Sequence, residues 1–249
     1  MASGQGTLFV VGTPIGNMED ITLRALRVLR EADLVAAEDT RHTGLLLARH
    51  AIKKPLVSYH EFNEARRTPE LLRELEQGRS IALVSDAGMP TVSDPGQRLI
   101  RAAIDAGIDV EVVPGVSAIT AALVASGLAG GHVPRRSSER SRSEGGFLFY
   151  GFLPHKSGQR RNALSRLAPL PCTLVFFESP YRLLKSLQDM HDLLGNRGVV
   201  VARELTKKFQ EVLRGDLVTI LKKLENRSIK GEITLVVDGP GNENAAYGA

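Results

Sequence analysis

The chain has 249 residues, 43% hydrophobic and 24% charged, enough for one large or two modest domains that need no disulfide or metal to hold a core. The single cysteine, Cys172, excludes an internal disulfide. With no secretory amino-terminal region and no long apolar run, the expectation is a cytoplasmic protein without a membrane span. Thirty-two basic against 28 acidic residues leave a net charge of +4, which allows a nucleic-acid partner without requiring one.

Residues 7–11 (TLFVV) form a short apolar run that empties into the loop GTPIGNMED. Asp20 then precedes ITLRALRVLREA, where Ile21, Ala25, Val28 and Ala32 recur at helical spacing. A second unit follows, with a strand at 34–37 (LVAA), the polar run Glu38 to Arg41 and a short helix near 45–49. A third strand, 56–58, leads into YHEFN, and Thr68 with Pro69 reads as the start of a helix that Gly78 stops. The strand at 80–84 ends in DAGMPTVSDPG, whose small residues and prolines suit a close approach of backbone to a ligand. Asp94 reads there as an N-cap with Pro95 as the first helical residue, opening a helix to about Ala106. A strand at 110–113 ends in PGVSA, where Ser117 is placed to cap a helix of small apolar residues.

This alternation predicts a largely parallel sheet covered on both faces, with ligands bound beyond the carboxyl ends of its strands. GTPIG, SDAGMP and PGVSA all occupy such ends. Residues 127–146 break the pattern, with little apolar content and arginines at 135, 136, 140 and 142. They read as a flexible linker whose arginines could reach phosphates. Further strands are expected at 147–150, 173–177, 199–202 and 232–237, with 209–213 ambiguous. Helices are expected at about 159–168, from Ser179-Pro180 to Gly195, and from Asp216 to Leu224. The second half is thus a mixed sheet with helices. The expected division is a domain at 6–127, a linker at 128–146, a domain at 147–238 and a polar, disordered tail at 239–249.

The six histidines show no zinc spacing, there is no G-x-S-x-G elbow, and Cys172 beside Pro171 suits a packed thiol, so no metal is expected. GFLPHKS lacks the glycine that a triphosphate loop carries before its lysine, and GTPIG fails the dinucleotide spacing. What remains is a first half that grips a cofactor by its backbone and a second that offers charged groups to a substrate: Lys156, Arg160, Arg161, Glu178, Arg203, Glu204, Lys207 and Lys208. Asp86 and Asp94 are also potential acids or bases.

Nine blocks together carry a resemblance: TPIGNMEDIT, EDTRHTGLLL, YHEFNE, LVSDAGMPTVSDPG, VPGVSA, GFLPHKSGQRR, FFESPYR, ARELTKKFQEVLRG and KGEITLVV. In this order, over residues 6–238, they resemble the ribosomal RNA small subunit methyltransferase I family of the tetrapyrrole methylase superfamily. The tract at 130–146 has no counterpart in that pattern. The resemblance implies two α/β domains with S-adenosyl-L-methionine in the cleft between them, a homodimer, and 2′-O-methylation of a cytidine ribose in the decoding centre of 16S rRNA in the small ribosomal subunit. It implies that the donor touches Thr13, Pro14, Ile15, Asp86, Gly88, Met89, Pro90, Val92, Ser117 and Ala118, with Phe152, Leu153, Glu232, Ile233 and Thr234 from the second domain.

The hydroxyl nucleophile needs a base, for which Glu178 or Glu204 is the expected residue and His60 a third candidate. Lys156 joins the catalytic set by holding a phosphate. Arg41, His60, Asn63, Arg160, Arg161, Arg203 and Lys207 are the expected RNA contacts. On this reading Asp94 becomes a structural helix cap, and Asp86 orders its loop or touches the donor. A methylase of a tetrapyrrole or protein side chain, and a non-catalytic RNA-binding protein, are the competing readings. Aromatic residues at 5% and no tryptophan favour phosphate contacts over base stacking.

Overall fold

The structure is a computed structural model that describes residues 4–128 and 146–240. Most of the expected linker and of the expected tail, 129–145 and 241–249, lie outside the described residues. Two compact units divide between Ser117 and Ala118.

The first unit is a five-stranded parallel sheet. Its strands are β1 (Thr7–Val11), β2 (Leu34–Ala37), β3 (Leu56–Ser58), β4 (Ile81–Val84) and β5 (Asp109–Val113), in the order β3-β2-β4-β1-β5. The helices α1 (Leu23–Glu31), α2 (Thr40–Arg49), α3 (Glu64–Glu76) and α4 (Gln97–Asp105) connect them. Every residue of β2 and β4 is buried, as strands covered on both faces must be. Strand alternation then sends Leu34, Ala36, Ile81 and Leu83 into one apolar cluster with Tyr59, Leu75 and Leu99. Val35, Ala37, Ala82 and Val84 go into the other, with Val28 and Leu29 of α1.

Helix starts differ from their sequence signals. Asn17 caps a short 3-10 turn at Met18–Asp20, and Thr22, not Asp20, caps α1 by accepting from the Ala25 N–H at 3.0 Å. Helix α3 begins at Glu64, so Pro69 lies inside it and not at its start. The missing proline N–H is tolerated beside Thr68, whose hydroxyl donates to the Glu64 carbonyl at 2.7 Å and meets the Tyr59 hydroxyl at 2.9 Å. Asp94 is not the cap of α4. Gly96, at φ +134°, holds that position, and a side chain there would meet Leu83 Cδ2 at 2.9 Å.

The second unit begins with α5 (Ala118–Ser126), which packs on its sheet through β8, β9 and β10. The sequence order groups this helix with the expected domain at 6–127, whereas it belongs to the second unit. A helix apolar on all sides, AITAALVAS, carries no mark of the sheet it will cover. The unit continues through β6 (Phe147–Phe152), α6 (Ser157–Leu167), β7 (Thr173–Glu178), α7 (Leu183–Leu194), β8 (Gly198–Arg203), β9 (Glu211–Asp216), α8 (Leu217–Leu224) and β10 (Ile233–Val237). The strand order is β6-β7-β10-β8-β9, with β6 and β7 parallel and every other pair antiparallel. The sheet is mixed, and the ambiguous segment near 209–213 is the edge strand β9. Among the described residues no helix is long and apolar enough to cross a membrane.

Candidate active site

In the first unit the carboxyl ends of β4, β1 and β5 are neighbours, so the loops that follow them meet. Gly12 donates to the Val113 carbonyl at 3.0 Å. A Cβ on Gly12 would stand 2.7 Å from both the Gly115 nitrogen and Met89 Sδ, and one on Gly115 would stand 2.9 Å from Gly12 Cα. Only hydrogen fits at these two positions. Thr13 and Gly88 exchange both backbone hydrogen bonds, at 2.9 and 3.1 Å, and the Thr13 hydroxyl donates to the Ser85 carbonyl at 3.1 Å. Gly88 holds φ +82° facing Ile15 and the Val116 carbonyl.

Thr13, Pro14, Ile15, Gly88, Met89 and Pro90 are thus brought together, with Val92 more exposed beside them and Ser117 at the end of the third loop. Ala118 starts α5 and counts with the second unit. The result is a cradle of close-packed backbone with apolar side chains, suited to a ligand read by amide and carbonyl edges.

Next to this cradle the ends of β2 and β4 gather carboxyl groups. Asp86 Oδ1 accepts from the Asp39 N–H at 3.0 Å, and the Asp86 N–H donates to Glu38 Oε2 at 3.3 Å. Asp86 therefore orders its loop against the β2 end. Burial pushes the Glu38 carboxyl up, aided by the charges of Asp86 and Asp39 and opposed by the Asp86 N–H and His60. Burial likewise pushes Asp94 up to about 6, with Glu38 and Asp86 adding to the shift and Ser85 opposing it. Arg41 lies two-pronged on Asp39, at 3.1 and 2.6 Å, and holds that carboxyl well below the usual range. The Arg41 side chain remains 89% exposed. Asn63 accepts from the His60 N–H at 2.9 Å and donates to the Ser58 carbonyl at 3.2 Å, so it ties the turn after β3. His60 Nδ1 is buried without a hydrogen-bond partner. Sequence reasoning missed Glu38 and Ser85, although both stand at the ends of strands it placed.

The second unit uses most of its expected site residues to hold itself together. Glu178 is 2% exposed. One carboxylate oxygen takes the Arg182 guanidinium at 2.6 Å and the Ser179 N–H at 2.7 Å, and the other takes the Ser186 hydroxyl. Both oxygens of the expected base are thus engaged by donors of the chain itself. Arg160, an expected RNA contact, is 5% exposed and paired with Asp189 at 2.6 Å, so it braces α6 against α7. Arg203, partly exposed, donates to Glu211, the Lys230 carbonyl and the Phe209 carbonyl.

Glu204 accepts from Lys207 at 3.0 Å and the Glu232 N–H at 2.9 Å. Burial raises its carboxyl, but these two donors outweigh burial and lower it, which makes it a weaker base. Lys207 also reaches Glu232 at 2.9 Å. Leu153 and Ile233 belong to the core and Thr234 is buried, so these three offer a ligand little but backbone, while Phe152 is exposed. Lys156, exposed at the start of α6, and Arg161, shared between Asp189 and Asp192 at 2.7 and 2.9 Å, keep outward-facing charge. Among the described residues no group of three His, Cys, Asp or Glu side chains is arranged to hold a metal ion.

The tetrapyrrole (corrin/porphyrin) methylase family profile matches residues 7–221. A protein from Halalkalibacterium halodurans named ribosomal RNA small subunit methyltransferase I is 49% identical over 96% of this chain and 78% of its own length. Its namesake from Thermotoga maritima is 46% identical over 94% and 99%. Among solved structures, a uroporphyrin-III-C-methyltransferase from Thermus thermophilus is 27% identical with a TM-score of 0.59, covering 94% of this chain and 92% of its own. A Thermus thermophilus uroporphyrin-III C-methyltransferase complexed with S-adenosylhomocysteine shares the fold at a TM-score of 0.62 and 21% identity, covering 94% and 98%. The chain therefore belongs to the tetrapyrrole methylase family, among its ribosomal RNA small subunit methyltransferase I members.

Proposed function

We propose that this chain methylates the ribose 2′-hydroxyl of a cytidine in the decoding centre of 16S rRNA, with S-adenosyl-L-methionine as donor. The observation that carries the reading is near-half identity, over nearly the whole chain, to proteins named for small-subunit rRNA methylation. The two uroporphyrin-III-C-methyltransferase structures are more distant, at 27% and 21% identity, which disfavours a porphyrin substrate. A ribosomal substrate also places the reaction in the cytoplasm, and a homodimer accompanies the reading.

The cradle fits the donor. Gly12, Gly88 and Gly115 leave backbone bare at the strand ends, and Ile15, Met89 and Pro90 supply apolar contact that does not oppose loss of a positive charge. The donor, when bound, supplies an electrophilic methyl group. The protein must hold the acceptor hydroxyl in line with it, keep bulk water away and take a proton. Arg41, Lys156 and Arg161 are the expected RNA contacts whose charge still faces outward.

Three phosphate contacts predict that log K for RNA falls against log salt with a slope of about −2, at roughly −0.7 per phosphate on a single strand. Filter binding across a salt series measures it, and a flat response contradicts the assignment. The function itself is tested by supplying methyl-labelled donor with small ribosomal subunits that lack this modification. Label in the rRNA is the expected result. Label confined to uroporphyrinogen or ribosomal protein, offered in parallel, overturns the reading.

A further inference from the structure

The loop after the donor cradle is bent more sharply than a link between strand and helix requires. Thr91 and Ser93 both hold positive φ, +73° and +70°, a region that non-glycine residues, and β-branched ones above all, enter only under strain. Through these two bends Asp94 stops short of α4, which Gly96 caps, and lines one groove with Glu38.

Ser85 supplies an independent mark of a site. It is 2% exposed, and its hydroxyl oxygen is buried without a hydrogen-bond partner. A buried hydroxyl left in this state, one residue beyond the end of β4, fits a polar atom of a bound ligand. The Ser85 carbonyl meanwhile accepts from Thr13 of the cradle, so one residue ties the methyl-donor loops to Asp94. Beyond Asp94 a groove of about 990 Å³, bounded by Glu38, Glu64, Ser93, Gly96 and Arg98, has room for a nucleotide.

We propose that Asp94, on the wall of this groove, is the base that takes the proton from the acceptor hydroxyl. The proposal rests on the rRNA 2′-O-methylation reading. As the 2′-oxygen forms its bond to the methyl carbon, the electrons of the breaking carbon–sulfur bond return to sulfur and the hydroxyl proton passes to an Asp94 carboxylate oxygen. The neutral acid then releases that proton to water, and no further reactant is needed.

The groups facing Asp94 are consistent with the task. Burial raises its pKa most, the Glu38 carboxyl from the end of β2 and the Asp86 carboxyl from the end of β4 add to that, and the Ser85 hydroxyl lowers it. His60, after β3, bears on Glu38. On the groove wall Arg98 pairs with Glu64 at 3.4 Å, and Glu61, Arg101 and Asp105 lie further along, with Arg101 and Asp105 paired to each other. Burial and the two carboxylates place Asp94 at about 6, where it is ionised at neutral pH yet basic enough to accept a proton.

The test is single-turnover methyl transfer to small subunits by the full chain between about pH 5 and 9. Alongside it, the Asp94 carboxyl is titrated in the ligand-free protein by difference infrared spectroscopy against Asp94→Asn. Wild type is expected to gain rate through about pH 6 and then level. Asp94→Asn should lose about 10²- to 10⁴-fold while keeping its circular dichroism and its calorimetric affinity for the donor. Glu38→Gln removes a neighbouring negative charge, so the rising limb and the infrared titration should both move to lower pH. An Asp94→Asn rate within about threefold of wild type, with the limb intact, sinks the base assignment alone. If wild type transfers nothing to rRNA, the parent reading fails and takes the proposal with it.

Discussion

Glu178→Ala should cost about 3–5 kcal/mol of stability, because it strands the Arg182 guanidinium beside two serine donors in a closed site. The loss is not that of a surface ion pair. The Glu178 side chain is wholly buried and that of Arg182 nearly so, and Arg182 also donates to the Leu153 carbonyl at 2.9 Å, which joins the end of β7 to the segment after β6. Urea denaturation followed by circular dichroism measures it. Glu178→Gln separates scaffold from base: per folded molecule its single-turnover rate should match wild type. A rate lower by orders of magnitude in a protein that is still folded would return Glu178 to the reaction.

Gly12→Ala is the second large effect, and it falls on binding. The new methyl group would press at 2.7 Å on the Gly115 nitrogen and at 2.8 Å on Gly115 Cα, both backbone, besides Met89 Sδ. Methionine can move aside, but the β5 loop can yield only by opening the cradle. Overpacking of this kind costs about 1–3 kcal/mol. If the strain is relieved by displacing the loops, S-adenosyl-L-methionine should bind roughly 10- to 100-fold more weakly by calorimetry. Unchanged donor affinity would show that the glycine pair packs the fold without shaping the donor site.

A smaller effect carries information through its sign. The folded pKa of Asp94, about 6, stands above its ordinary value of 3.8, so the native state binds more protons than the unfolded chain between those values. Stability must fall as pH rises through that window and stay reduced above it. Asp94→Asn should therefore be more stable than wild type at neutral pH, by about 1 kcal/mol once part-exposure is allowed for. A purely structural aspartate would give the opposite sign, which thermal denaturation at neutral pH detects.

The strands were legible because a parallel sheet covered on both faces demands continuous apolar runs, and LVAA and IALV are just that. The cradle was legible because Gly12, Gly88 and Gly115 each follow a strand at the same end of one sheet. Helix starts were less so. Thr68-Pro69 and Asp94-Pro95 both carry the signature of a first turn, yet tertiary packing put one inside α3 and the other in a strained loop. The charged residues were least legible. Nothing local separates Glu178, enclosed by Arg182 and Ser186, from Asp94 in its groove, because the difference lies in partners supplied by the fold. The meeting of Glu38 with Asp86, 48 residues apart, follows only from the pairing of β2 with β4.

One measurement bears most directly on the account. Small ribosomal subunits lacking the modification are incubated with this chain and S-adenosyl-L-methionine, the rRNA is digested to nucleosides, and the products are resolved by mass spectrometry. A single new species is expected, cytidine carrying its methyl group on the ribose 2′-oxygen. A methyl group on the base, or on no nucleoside at all, would contradict it.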